Sequence, residues 1–287
     1  MASLRRLHAW EKAFFLARQQ RLRRLSFEIP PETFRRGLDI CGPIEVYAVL
    51  PRAMELLRQR VGRTSFPNGM TILARTLTQA KGRFSRPWWA PKGGLWLAIA
   101  VYDDFLPEAR GWLPLVFGLA VTKALQNLGA LVSLRWISDV HHRGDKVAGL
   151  LVEEVPFFGE SWFLVGLGVN VNNVLPSGLQ AQNLRFLLGS RVSLTRVFGE
   201  IAGELVRFFG LLRSYEVHLL EGEEENPLRD WFYLLSDTPG QKVIFGEDLS
   251  RGAEGLGLAL ELDPLGGLRL ETEKGPLVLR SGEIRYL

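Results

Sequence analysis

The 287-residue sequence has one cysteine, four histidines and no long apolar run, and these shortages exclude several classes of protein. Cys41 is the only cysteine, so no internal disulfide can form and a disulfide-stapled secreted fold is excluded. Arg5 and Arg6 are followed by mixed, charged sequence, so we expect no secretory signal. The apolar run from Trp112 to Ala120 is too short to span a bilayer. We therefore expect a cytoplasmic protein that is not bound to a membrane.

The composition is that of an ordinary globular protein. Hydrophobic residues make up 47% of the chain and charged residues 23%, enough for one large domain and a small one. The net charge of +4 suits a nucleotide or an acidic partner but is too small to indicate DNA binding. His141 and His142 are adjacent, and no Cys, Asp or Glu cluster supports them as metal ligands. We assign both to a loop.

Hydrophobic periodicity divides the chain into three parts. Residues 1–40 form an extension with a basic helix over 4–25, which we expect to dock on its own domain rather than on nucleic acid or a membrane. Residues 41–238 form the main domain. Its predicted strands are 44–49, 70–76, 95–102, 132–136, 146–153 and 162–169, and its predicted helices are 51–61, 113–128, 194–215 and a piece around Trp231.

The pattern of predicted elements changes near residue 240. Short strands, predicted at 242–245, 253–261, 268–271 and 277–279, alternate with Gly, Asp and Pro turns. This pattern predicts a small all-β barrel as a separate domain over residues 239–287.

A basic loop is the most informative segment. Lys81, Arg83 and Arg86 surround Gly82 and are followed by Trp88 and a second tryptophan. Fixed positive charge beside aromatic rings suits an anionic phosphate next to a flat or apolar ligand. A solvated basic loop that caps a hairpin is the alternative interpretation.

Three motifs, in their order and spacing, resemble those of the biotin–protein ligases, whose superfamily includes lipoate ligases and octanoyltransferases. They are AKGRFSRPW at 80–88, RWISD at 135–139 with KVAGLLVE at 146–153, and GLGVN at 166–170. The resemblance extends over residues 44–287. It implies an α/β (α+β) fold with a mixed, largely antiparallel sheet, helices on one face (class II synthetase-like), and a C-terminal SH3-like barrel.

The resemblance also implies a reaction. The biotin carboxylate attacks the α-phosphate of ATP, with Mg²⁺ bridging phosphates, to give biotinyl-5′-AMP and pyrophosphate. A lysine of an acceptor (carboxyl-carrier) protein then takes the biotin. The implied catalytic residues are Lys146, Arg83 and Arg86. The implied substrate-binding residues are Gln79, Lys81, Gly82, Trp88, Gly149, Asn170 and Asp139. No DNA partner is expected, the metal ligands are unassigned, and a homodimer is compatible with the resemblance.

Some family positions differ in this chain. A D-S-T-N segment, whose hydroxyls bind the ureido ring of biotin, aligns with residues 47–50, which are Tyr-Ala-Val-Leu. Each ureido group left unpaired there would cost about 1–3 kcal/mol. Two glycines and an arginine of the basic loop are replaced by Ala80, Ser85 and Lys81, and Ile137 and Ser138 replace proline and asparagine. Three interpretations stay open: a divergent biotin ligase, a ligase or transferase for lipoate or octanoate, and a non-catalytic binding relative.

Overall fold

The computed structural model describes residues 5–62, 65–223 and 225–287, and Leu4, the predicted first residue of the N-terminal helix, lies outside this part. The α-helices of the described residues are α1 (His8–Leu25), α2 (Pro31–Gly37), α3 (Ala53–Arg58), α4 (Pro107–Arg110), α5 (Leu113–Asn127), α6 (Leu184–Leu187), α7 (Leu194–Leu220) and α8 (Pro227–Leu235). The strands are β1 (Ile44–Tyr47), β2 (Thr71–Ala74), β3 (Leu95–Tyr102), β4 (Ser133–Arg135), β5 (Asp139–His142), β6 (Asp145–Phe157), β7 (Glu160–Val169), β8 (Lys242–Gly246), β9 (Gly255–Leu262), β10 (Leu268–Thr272), β11 (Gly275–Leu279) and β12 (Glu283–Tyr286).

The main sheet has seven strands in the order β1-β2-β3-β7-β6-β5-β4. Only β1 and β2 are parallel, and all other neighbours are antiparallel. Alternate residues of β3 point to opposite faces: Leu95 and Leu97 join the large core with the long helices, whereas Ala98 joins a smaller cluster under α3. The predicted fold class, a mixed and mostly antiparallel sheet with a separate C-terminal sheet, is confirmed.

The N-terminal helix packs within the chain. Arg21 on α1 donates to Glu200 (2.8 Å) and to Glu204 (2.9 Å) on α7, and Glu204 is fully buried. Removing one partner of such a buried pair typically costs about 3–5 kcal/mol, because the other charge stays buried and unpaired. The basic face of α1 is therefore used to hold the helix on its own domain, as its sequence predicts.

The second sheet has five strands in the order β11-β10-β9-β8-β12. Its buried side, including Val243 and Phe245, is continuous with the main core. The sequence pattern missed β12, a short strand with alternating polar residues. It also misplaced His141 and His142: both lie in β5, and His141 is buried. We retain residue 239 as the proposed start of the C-terminal domain.

None of the helices in the described part of the chain is sufficiently long and apolar to cross a membrane.

Candidate active site

A cavity of about 570 Å³ lies between the main sheet, the basic loop and the C-terminal sheet. It is bounded by residues of β6 and β7, by the β4–β5 hairpin, by the loop at 80–88 and by β12. Eight of the predicted site residues line it: Lys81, Gly82, Arg83, Arg86, Trp88, Asp139, Lys146 and Gly149. Segments that are far apart in sequence thus present their charged and aromatic side chains to one space.

The floor of the cavity is a pair of glycines on neighbouring strands. Gly149 of β6 lies opposite Gly168 of β7, and the indole of Trp88 lies on both. A Cβ at Gly168 would be 2.7 Å from Trp88 Nε1, and a Cβ at Gly149 would be 3.3 Å from the indole ring. Only glycine permits this close approach of a ring to the backbone. Trp88 Nε1 is buried and has no hydrogen-bond partner among the described residues, so this donor is unsatisfied while the ring lies on the floor.

Lys146 carries the positive charge nearest this floor. Its Nζ is 2.8 Å from Asp139 Oδ1 and 5.6 Å from the centre of the Trp88 ring. Both members of the ion pair are about one-third exposed at the cavity, at 36% and 35%. An ammonium held by a carboxylate and a ring face keeps donors free on its solvent side.

The basic loop is fixed to the C-terminal sheet. Arg86 donates to Glu283 at 2.7 and 2.9 Å and also contacts Asp248, and Arg83 donates to the carbonyl of Gly282. Hydrogen bonding to Glu283 and to Asp248 raises the pKa of Arg86 despite partial burial. Arg86 therefore has fixed counter-charges on the protein before any ligand binds.

The backbone of this loop is strained where the family has glycine. Ser85 has a φ of 58° and its neighbour Phe84 a φ of 53°, both in the left-handed region. Such conformations cost about 1–3 kcal/mol for a residue with a side chain. The guanidinium groups of Arg83 and Arg86 lie 5.1 and 5.3 Å from the Phe84 ring, and these contacts offset part of that cost.

Two predicted site residues lie outside the cavity wall. Gln79 is exposed on the loop, and Asn170 is buried beneath β6. The Asn170 side chain donates to the carbonyl of Lys146 at 3.4 Å and accepts from Asn173 at 3.0 Å. Its amide therefore supports the strand that carries Lys146, and the substrate-binding role implied for Asn170 stays a prediction.

The segment at 47–50 does not line the cavity either. The Tyr47 hydroxyl donates to Glu45 at 2.6 Å, and Leu50 is buried. The cavity wall is formed instead by Arg52, at the start of α3, together with Ala53 and Met54. Pro51 marks the start of this helix in the sequence, and the residues of the cavity wall follow it directly.

Arg135 also lines the cavity, although the sequence pattern identified it only as part of the RWISD motif. It lies at the end of β4, paired in register with Asp139. Its Nε is buried without a partner among the described residues. Its position as the basic first residue of the RWISD motif was the signal for it.

Comparisons with known proteins show which proteins the chain is similar to. The model of the biotin/lipoate A/B protein ligase family matches residues 46–172. The chain is 27% identical to the biotin–[acetyl-CoA-carboxylase] ligase of Mycobacterium tuberculosis over 234 residues, which are 77% of this chain and 80% of that protein. It is 29% identical to the bifunctional ligase/repressor BirA of Escherichia coli over 255 residues, 84% of this chain and 75% of that protein.

A likeness to solved structures shows the fold. The biotin protein ligase of Aquifex aeolicus, solved in complex with biotin and ATP, superposes with a TM-score of 0.67 at 22% identity. The match covers 85% of this chain and 99% of that one. A Leishmania major biotin protein ligase with biotinyl-5-AMP matches with a TM-score of 0.54 at 17% identity, over 85% and 98% of the two chains.

Proposed function

We propose, from the premise that residues 46–172 belong to the biotin/lipoate A/B protein ligase family, that the chain is a biotin–protein ligase. It would form biotinyl-5′-AMP and pyrophosphate from biotin and ATP, and would then transfer the biotinyl group to a lysine of an acceptor protein. The observation that carries the proposal is the Lys146–Asp139 ion pair, 2.8 Å long, beside an indole that lies on two facing glycines.

The first step brings two anions together. A carboxylate oxygen attacks the α-phosphorus, a new P–O bond forms, and the bond to pyrophosphate breaks. Repulsion between the reacting groups is largest as they approach, so a preorganised cation lowers the barrier most at that point. Lys146, at the start of β6, would hold oxygens of both groups, while Asp139 keeps its ammonium in place.

The flat floor suits a ligand that must be shielded from water. A mixed anhydride hydrolyses when water reaches it, and an indole lying across it excludes water. Trp88 already lies against Gly149 and Gly168, and its unpartnered Nε1 is within the cavity wall. A ligand would slide between ring and strands or move the ring outward.

The phosphate side of the cavity would be formed by Arg135, Lys81 and Arg83. The described residues hold no cluster of three or more His, Cys, Asp or Glu side chains that could bind a metal by themselves. Two carboxylates, Asp139 and Glu283, line the cavity, and they would be the groups nearest to a Mg²⁺ ion bound there with ATP. When bound, it would offset phosphate charge.

The acceptor and the acyl group are proposed at two levels of detail. In general terms, the proposed acceptor is a lysine of a carrier protein. The specific acceptor that we propose is the carboxyl-carrier domain of acetyl-CoA carboxylase. A second candidate activity uses lipoate or octanoate. It is favoured by the apolar side chains of Ala53, Met54 and Leu77 at one end of the cavity, which would accept a plain acyl chain.

Pyrophosphate release tests these proposals directly. Purified protein is incubated with ATP and Mg²⁺ and with biotin, lipoate or octanoate in separate reactions. Biotin-dependent release, followed by labelling of a carboxyl-carrier domain but not of its Lys→Arg variant, is expected. Pyrophosphate release with octanoate but not with biotin would favour the second activity. If no acid causes pyrophosphate release, both proposals are contradicted.

A further inference from the structure

A hydrogen-bonded chain joins the two sheets behind the cavity. Tyr286 of β12 donates its hydroxyl hydrogen to Asp237 Oδ1 at 2.7 Å and lies 2.8 Å from Thr238 Oγ1. Thr238 Oγ1 also accepts from the backbone N–H of Trp136 at 3.0 Å. Because the phenolic hydrogen is committed to the carboxylate, Thr238 must donate to the Tyr286 oxygen.

The chain continues into the β4–β5 hairpin. His141 Nε2 lies 3.1 Å from the same Asp237 oxygen, and His141 Nδ1 accepts from the N–H of Gly144 at 3.0 Å. The imidazole therefore carries its hydrogen on Nε2. The linker at 236–238 also pairs with β4, since Asp237 N–H donates to the Leu134 carbonyl at 3.3 Å. The hairpin, the linker and β12 form one bonded unit.

The ring of Tyr286 lies under Arg135. The guanidinium carbon is 4.6 Å from the ring centre, and Arg135 forms no ion pair with any residue in the described ranges. A guanidinium stacked on an aromatic face keeps its donors in its own plane and directs them sideways. Arg135 also lines the cavity. The contrast with Arg86 is large, because two carboxylates already neutralise Arg86.

We infer that Tyr286 is a positioning residue for Arg135, and that Arg135 is the cavity arginine kept free for a phosphate of ATP. This inference rests on the proposed function. The ring orients the guanidinium without neutralising it, and the Tyr286–Asp237–His141 chain fixes the ring. A carboxylate in place of the ring would also orient Arg135 but would compete with the phosphate for its donors.

The test is a double-mutant cycle read out on ATP. Tyr286→Leu removes the ring, Tyr286→Phe removes only the hydroxyl, and Arg135→Gln removes the charge. Tyr286→Leu should raise the KM for ATP about 3- to 30-fold, the range of a stacked cation contact. Tyr286→Phe should give a smaller rise, and the Kd for biotin should not change in either variant.

The cycle separates positioning from folding. If Tyr286 acts through Arg135, Tyr286→Leu has no further effect on the KM for ATP in the Arg135→Gln background. Additive effects, or a parallel loss of biotin binding, would overturn the inference. Failure of the proposed function looks different: the wild-type protein would then release no pyrophosphate with biotin. In that case calorimetry with ATP·Mg²⁺ still measures the Tyr286–Arg135 coupling.

Discussion

The two ends of the cavity differ in how closely they follow the family motifs. The carboxylate end, formed by Lys146, Asp139 and Gly149, has the residues that the motifs lead one to expect. The distal end, formed by Arg52, Met54 and Gly166, has no hydroxyl of a D-S-T-N segment. The residues that we propose for the common chemistry are thus present, whereas the segment that the resemblance implies for ligand selection has changed.

Strand register relates the two ends. Gly149, Leu151 and Glu153 point to one face of β6, and Glu153 is 3.8 Å from Arg52. From Gly149 to Glu153 the strand advances about 13 Å. A ligand whose carboxylate lies at Lys146 therefore reaches Arg52 only if it is extended and about that long. We therefore expect the distal end to discriminate between ligands by their length and polarity.

The largest effect is expected at the carboxylate end. Lys146→Ala should reduce the rate of pyrophosphate release on the order of 10²-fold or more, because it removes the cation that offsets two reacting anions. Lys92→Ala, at an exposed lysine outside the cavity, is the matched control. An unchanged rate for Lys146→Ala would show that the motif assignment is wrong in this chain.

Gly168 and Gly166, the two glycines of β7 that line the cavity, should respond differently to substitution by alanine. In Gly168→Ala the new methyl would be 2.7 Å from the Trp88 indole, whereas in Gly166→Ala it would be 2.5 Å from the flexible Met54 side chain. Overpacking of this kind costs about 1–3 kcal/mol, and methionine yields more readily than an indole. Adenylation should fall about 10- to 100-fold in Gly168→Ala and less in Gly166→Ala. Equal losses would contradict the proposed role of Trp88.

Arg52 tests the distal end. Its contact with Glu153 is long, because Glu153 is held more closely by Arg58, so Arg52 keeps donors for a ligand. Arg52→Ala should weaken biotin binding about tenfold, because a charged hydrogen bond to the ureido oxygen is lost. The binding of octanoate, which has no ureido group, should not change. Arg58→Ala is the control, since it does not line the cavity. Calorimetry that finds the same biotin Kd in wild type and Arg52→Ala would remove Arg52 from ligand selection.

The smallest effect concerns pH and the junction behind the cavity. Burial would raise the pKa of Asp237, but hydrogen bonds from His141 and Tyr286 lower it below the ordinary 3.8. Because the folded-state pKa is depressed, the stabilisation is present above about pH 4 and is lost as the pH falls through the folded-state value. The melting temperature should drop more steeply below about pH 4 in wild type than in Asp237→Asn. Parallel slopes would exclude this carboxylate as the cause.

Local sequence patterns predicted most elements because their signals are short-range. The spacing of apolar residues located β3 without error, and Gly129, with a φ of 95°, ends α5 where the sequence places it. Strand β12 and strand β5, which contains His141, were missed because both are short. The partner of β12 is the more distant strand β8, whereas β5 pairs with its sequence neighbours β4 and β6. The motif match aligned the segment at 47–50 with ligand-binding residues, but in the structure the cavity wall begins two residues later, at Arg52.

The sequence by itself was enough to identify the family motifs, the charge of the basic loop and the strand–loop–strand order, because each depends on residues that are neighbours in the chain. Only the tertiary structure decided which arginines are free. Arg86 and Arg135 look alike in the sequence, yet Arg86 meets Glu283 and Asp248, and Arg135 meets the face of Tyr286. The partners are about 150 to 200 residues away and are brought near by folding of the second sheet against the first. The fold therefore decides whether an arginine is paired with carboxylates of the protein or remains unpaired for a ligand.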